Sequence, residues 1–158
     1  MDVTVDFYTR VLGMRLTKTI TLPGDRGKHY FLDAGNGDAL AFFWFPEGPE
    51  KVSRKKLQQI SATPGTMNHV AFDVPADKIE AYQKELVSRG VEVTEVVNHD
   101  DGPTQASPTL TPSTFVRSIY FHDPDGIMLE FAAWTRPLDE RDVDESSYAR
   151  LPAEPVTA

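Results

Sequence analysis

An imidazole in the segment TMNHVAFDV (His69) and a carboxylate in GIMLEFAAW (Glu130) are the side chains of this sequence best suited to metal chemistry. Nitrogen and oxygen donors of this kind suit Fe(II), Mn(II), Ni(II) or Zn(II). Tyr120 and His122 alternate in SIYFHDPDG, while His29 and His99 lie further upstream. There is no cysteine, which removes thiolate metal sites, Cys nucleophiles and disulfides from consideration.

Alternation along strands decides which of these groups can meet. In 66–74, Val70, Phe72 and Val74 share one face, and His69, Ala71 and Asp73 the other. In 127–133, Leu129 and Phe131 oppose Met128, Glu130 and Ala132. In 115–122, Ile119 and Phe121 oppose Ser118, Tyr120 and His122. The apolar sets belong against a helix. His69, Tyr120 and Glu130 then share the other face, with His122 and Met128 placed to touch a bound molecule. A carboxylate on an otherwise apolar face is costly unless it is paired or binds a cation. On a solvated outer sheet face the same residues need no such role, and alternation alone leaves both readings open.

The elements that must position them follow from periodicity and punctuation. A helix is predicted over 3–12, closed by Gly13, then strands at 14–22, 28–33 and 39–45. Residues 47–65 are a charged connector with a short helix around KKLQQI. A strand at 66–74 leads to a helix at 77–89, with Asp77 and Glu80 at capping-box spacing, an apolar stripe of Ile79, Tyr82 and Leu86, and Gly90 as terminator. Strands follow at 91–97, 115–122 and 127–133, with a long loop at 98–114 that carries His99. Residues 135–158 read as an acidic, proline-rich arm or disordered tail.

The halves repeat. YTRVLGMRLT matches ELVSRGVEVT with Gly13 on Gly90, an offset of 77, and YFLDAGNGDALAFFW matches YFHDPDGIMLEFAAW with Tyr30 on Tyr120, an offset of 90. This divides the chain into a first module at 1–46, the connector, a second module at 66–134, and the tail. The strand 66–74 has no mate in the first half, so the counterpart of His69 falls before Met1. His29 matches Ile119 in this alignment and is expected to face the first helix in a structural role. Phe42, Phe43, Trp44 and Phe45 either pack a core or line an aromatic pocket. The edge of 39–45 is expected to be bare, and exposed apolar edges recruit partners, so a homodimer or cover by the acidic tail is expected.

Composition bounds the rest. The chain has 158 residues, 40% of them hydrophobic, enough for one domain or two small modules sharing a core. A formal net charge of −8 with no basic stripe argues against nucleic acid and anionic membrane surfaces as partners. No apolar run reaches the roughly 18 residues of a membrane span, and no signal peptide is visible. A cytoplasmic protein is the default expectation.

FYTRVLGM, MNHVAFDV and SIYFHDPDGIMLEF resemble the vicinal-oxygen-chelate superfamily, which holds glyoxalase I, bleomycin-resistance proteins, fosfomycin-resistance enzymes and extradiol ring-cleaving dioxygenases. The resemblance covers residues 3–134 apart from the two loops. It implies an α+β fold of paired βαβββ modules, forming a curved, cupped mixed sheet with helices outside. It also implies metal ligands on the first and last strands of a module, the positions of His69 and Glu130. Ile119, Tyr120, Asp123, Pro124, Gly126 and Glu130 are similar, in order, to the tail of the extradiol pattern, where the Tyr lies near the substrate. Three departures stand out. Thr111, Pro112 and Ser113 occupy the stretch where that pattern has a histidine, for which His99 is the candidate substitute. The first module lacks its first-strand histidine. Its last strand, ALAFFWF, has no acid near Ala41 or Phe42, where glyoxalase I needs one. The resemblance implies a divalent metal, Fe(II) first, and extradiol-type cleavage of a catechol or hydroquinone. The alternatives are a glyoxalase-like isomerase or lyase acting on a dicarbonyl substrate, and a metal-free small-molecule binding protein.

Overall fold

The computed structural model describes residues 1–143. The chain opens with α1 (Asp2–Asp6), which continues as a π-helical turn over Phe7–Val11. Strands β1 (Arg15–Thr21), β2 (Lys28–Gly35) and β3 (Asp38–Trp44) follow as an antiparallel sheet in that order. The connector carries α2 (Arg54–Ser61), capped by the Ser53 side chain. The second half contributes β4 (Val70–Asp73), α3 (Ile79–Ser88), β5 (Val97–Asp100), β6 (Ala106–Ser107), β7 (Thr114–His122) and β8 (Met128–Trp134). Their sheet runs β4-β8-β7-β5-β6, with β4 parallel to β8 and every other pairing antiparallel. The result is an α+β arrangement of two modules. Among the described residues, no strand pairs with the outer edge of β3, and no helix is long and apolar enough to cross a membrane.

One core serves both modules. Tyr8 and Leu32 from the first pack with Ile79, Leu86, Ile119, Phe121, Leu129 and Phe131 from the second. Full burial of a Leu, Ile or Phe side chain contributes about 1.5–3 kcal/mol, so the modules are joined by the hydrophobic effect. The helical segments that begin the two modules, α1 with its π-helical turn and α3, end on glycines with positive φ, Gly13 at +77° and Gly90 at +81°, a conformation that costs a side-chain-bearing residue energy.

The DPDG turn ties the modules together a second time. Asp123 is buried and accepts hydrogen bonds from Tyr8 Oη (3.1 Å) and from the backbone N–H groups of Asp125 (2.9 Å) and Ile127 (2.8 Å). Thr4 Oγ1 donates to Asp125 at 2.8 Å. Asp123→Ala leaves three donors short of an acceptor, at about 1 kcal/mol each or more. Urea denaturation is expected to show a loss of about 3 kcal/mol, and an unchanged midpoint would refute this role. Burial pushes the Asp123 carboxyl above its usual range. The folded state therefore holds this proton more tightly than the unfolded chain, and the contribution of Asp123 to stability falls as pH rises through its folded pKa. Asp123→Asn is expected to flatten that acid-side slope.

The structure departs from the sequence reading in four places. First, α3 has no capping box. A 3-10 turn over Ala76–Lys78 leads into it without a side-chain cap, and Glu80 turns instead to the Arg117 guanidinium. Second, the strand expected at 91–97 is reduced to an isolated bridge between Val93 and Phe121. Thr94 breaks the ladder: its hydroxyl, not its carbonyl, accepts from Tyr120 N–H at 3.0 Å, while its carbonyl turns to Gln83 Nε2 at 2.7 Å. Third, the expected loop 98–114 holds β5 and β6, so His99 stands on a strand.

Fourth, His29 does not face the first helix. The core-facing residues Leu32, Leu40 and Phe42 occupy the places that Phe121, Leu129 and Phe131 hold in the second module. The equivalent cross-strand pairs are therefore Phe31–Ala41 and Tyr120–Glu130, which lie 89 positions apart, not 90. A slip of one residue flips every side chain to the other face. His29 consequently lies on the open face, stacked on Phe43 with ring centroids 3.9 Å apart.

Residues 135–143 form a short turn in which Arg136 pairs with Asp142 (2.6 Å) and Asp139 caps the 3-10 segment Glu140–Asp142. The remainder of the predicted tail, 144–158, lies outside the described residues, as does any cover it gives to β3.

Candidate functional site

The open face of the second sheet brings four of the singled-out side chains into one hydrogen-bonded cluster. Glu130 lies on β8, opposite Tyr120 of β7 and beside Ala71 of β4. His69 immediately precedes β4, two residues from Ala71 and so on the same side. His69 Nε2 is 2.7 Å from Glu130 Oε2. Tyr120 Oη donates to the other carboxylate oxygen, Oε1, at 3.1 Å. His99 Nε2 lies 3.2 Å from Tyr120 Oη. Glu130 is 7% exposed, whereas the His69 side chain retains 32% of its exposure. The carboxylate is thus buried and the imidazole closes it off from solvent. Burial, and after it the Glu130 charge, push the Tyr120 phenol above its ordinary range, so it stays protonated as a donor.

Asn68 holds the other ring nitrogen of His69. Its Nδ2 donates to the Ser61 carbonyl at 3.4 Å, and its Oδ1 lies 2.8 Å from His69 Nδ1. An amide oxygen only accepts, so Nδ1 carries the proton. In a neutral ring Nε2 then presents a lone pair directly at Glu130 Oε2. Two electron-pair donors at 2.7 Å repel each other unless a proton lies between them; as ligands of one ion, each about 2.0–2.2 Å from it, the same atoms stand about 3 Å apart. Metal-bound histidines and carboxylates are commonly held by outer hydrogen bonds in this way, here from Asn68 and Tyr120. The nitrogen and oxygen donors of the pair suit a divalent ion as two of its ligands once they part by a few tenths of an ångström. Among the described residues no third His, Asp or Glu joins the pair in one cluster. His99 is kept from the carboxylate by the phenol, and Ala41 holds the position equivalent to Glu130 in the first module.

His122 and Met128 face each other on the next rung of the β7–β8 ladder. Both line a cavity of about 140 Å³, with Leu57 and Ile60 of α2 and with Met67 and Ile127. His29 is remote, on the other sheet. The sequence reading missed Asn68, although it adjoins His69, because its partner depends on where Ser61 ends α2. It also missed the packing of Leu57 and Ile60 over β8. Ser118, which shares the face of Tyr120, is fully buried, and no partner within strict hydrogen-bond geometry meets its Oγ among the described residues.

No curated protein matches the chain in sequence. Among solved structures, SMU.1112c is 25% identical with a TM-score of 0.58, over 83% of this chain and 88% of that one. A glyoxalase family protein from Enterococcus faecalis is 23% identical with a TM-score of 0.58, over 84% and 87%. The fosfomycin resistance protein FosX from Listeria monocytogenes, complexed with Mn(II) and sulfate, is 18% identical with a TM-score of 0.52, over 85% and 84%. These likenesses establish the fold. The model of the Glyoxalase/Bleomycin resistance protein/Dioxygenase superfamily matches residues 1–131. The chain belongs to that superfamily, and its two modules carry the vicinal-oxygen-chelate fold.

Proposed function

We propose that this protein is a divalent-metal enzyme of the extradiol type, acting on a small catechol or hydroquinone. The observation that carries the reading is the facing of His69 Nε2 and Glu130 Oε2 at 2.7 Å, with each donor held by its own outer partner. Fe(II) is the first choice of ion. Mn(II), the ion in the FosX complex, suits the same donors, as do Ni(II) and Zn(II). When bound, such an ion gathers two adjacent substrate oxygens and lowers their proton affinity.

The protein's own part is positioning and proton handling. Glu130 and His69 fix the ion on the open face. Tyr120 Oη hydrogen-bonds Glu130 Oε1 and would be a donor to a substrate held beside that carboxylate. With the Tyr120 proton directed to Glu130, His99 Nε2–H donates to Tyr120 Oη and supports negative charge that builds on the phenol oxygen. This His99–Tyr120–Glu130 line favours proton-coupled chemistry at a phenolic substrate. Ala41, where a glyoxalase-type base would stand, counts against the isomerase or lyase alternative. The open aromatic face of the first sheet, with Phe43 54% exposed beside Phe45, favours a homodimer. We place the protein in the cytoplasm.

The test is anaerobic reconstitution with Fe(II), Mn(II), Ni(II) or Zn(II), followed by metal analysis and oxygen uptake with catechol and hydroquinone. One bound ion per chain and oxygen consumption with Fe(II) or Mn(II) are expected. Turnover of a dicarbonyl–thiol adduct without oxygen uptake would shift the assignment to the glyoxalase-like reaction. No retained metal would point to a binding protein.

A further inference from the structure

We propose that the cavity beneath α2 is a side pocket that receives an uncharged, apolar part of the substrate and turns away anionic groups. The proposal rests on the preceding assignment for what lies next to the pocket, but not for its selectivity. The His122–Met128 pair is the rung after Tyr120–Glu130 on the same face, about 6.7 Å along the strands. Asn68 lines the cavity and also holds His69 Nδ1. The space thus adjoins the His69–Glu130 pair through Asn68 and the His122–Met128 rung.

The lining sets the chemistry. Leu57, Ile60, Met67, Ile127 and Met128 supply most of the wall, and among the described residues no Lys or Arg lines it. Of the cations on the connector, Lys51 is 3.5 Å from Asp125 and Arg54 is 3.4 Å from Glu92, while Lys55 and Lys56 are exposed on α2 and do not line the cavity. His122 is the one titratable group on the wall. Burial, and after it the Arg54 charge, hold it below its ordinary range, so it is neutral at physiological pH. An anion entering here would lose its hydration with no cationic side chain on the wall to bind it, the nearby Arg54 being paired with Glu92. At about 140 Å³ the space is smaller than the roughly 300–1,000 Å³ of pockets for drug-sized ligands, and suits a single ring or a short alkyl group.

The roof is held by a close fit. A Cβ added at Gly126 would lie 2.8 Å from Leu57 Cδ1, and Gly126 has φ +90°. The absence of a side chain there lets α2 sit down on the DPDG turn.

Binding of 4-fluorophenol and 4-fluorobenzoate to the metal-free protein, followed by ¹⁹F NMR, tests this. The phenol is expected to bind at least about 10-fold more tightly than the benzoate. Ile60→Trp, at a partly exposed site on α2, fills the cavity and is expected to weaken the phenol at least about 10-fold without a change in melting temperature. Met67→Arg, at the exposed rim, is expected to raise benzoate affinity by a similar factor. Equal binding of the two probes, or a phenol affinity untouched by Ile60→Trp, would overturn the proposal. Because no metal is present, this outcome is independent of the metal assignment. Normal metal uptake with no probe binding would remove the pocket alone.

Discussion

Glu130→Ala is expected to abolish the stabilisation of the protein by divalent metal. The carboxylate is one of only two candidate ligands in the cluster, and it is buried with both oxygens engaged. Loss of an outer hydrogen bond to a ligand costs about 10–100-fold in metal affinity, so loss of a ligand costs at least about 100-fold. A ligand at 100 times its Kd stabilises the folded state by about 2.7 kcal/mol. For a chain of this size that raises the melting temperature by about 5–10 °C. At the same metal concentration, a variant with 100-fold weaker binding gains about 0.4 kcal/mol, a shift of about 1 °C. Thermal melts of the two proteins with and without Mn(II) make the comparison. His69→Ala is expected to behave alike. If both variants keep the full shift, the ion binds elsewhere and the centre described here is wrong.

The part of this site that was legible in the sequence is the part that strand alternation controls. His69, Tyr120 and Glu130 lie on the side of their strands opposite Phe72, Phe121 and Phe131, and a two-residue period carries that information locally. The DPDG turn then brings β7 and β8 into register, with His122 opposite Met128. What was not legible depends on contacts distant in sequence. His99 reaches Tyr120 only because Thr94 breaks the expected strand and delays the pairing with β7 to Val97. No period in that stretch announces the delay. The first module misled in a different way. Matching the YF pairs of the two hairpins is chemically natural, but the turns after them differ in geometry. The AGNGD turn carries a register shift between Asp33 and Gly35. The structural match nevertheless runs at an offset of 89 on both strands, so the YF pairs are one residue out of phase and His29 was put on the wrong face.

The second large effect expected is on turnover, and it distinguishes a proton line from a set of structural contacts. Tyr120→Phe removes the donor to Glu130 Oε1 and the acceptor for His99 Nε2. A positioned acid or base contributes about 10²–10⁴-fold, so kcat is expected to fall within that range. Metal affinity should fall by about 10-fold through the lost outer hydrogen bond. His99→Ala leaves Tyr120 bonded to Glu130, so metal content and KM are expected to stay unchanged while kcat falls. The double variant carries the decisive reading. Groups that act as one unit are strongly non-additive. If His99 works only through the phenol, its loss does no further harm once the phenol is gone, and the double variant should match Tyr120→Phe alone. Losses that multiply would show that the two side chains act on the substrate separately. The 3.2 Å contact between them would then be a packing contact that carries no proton.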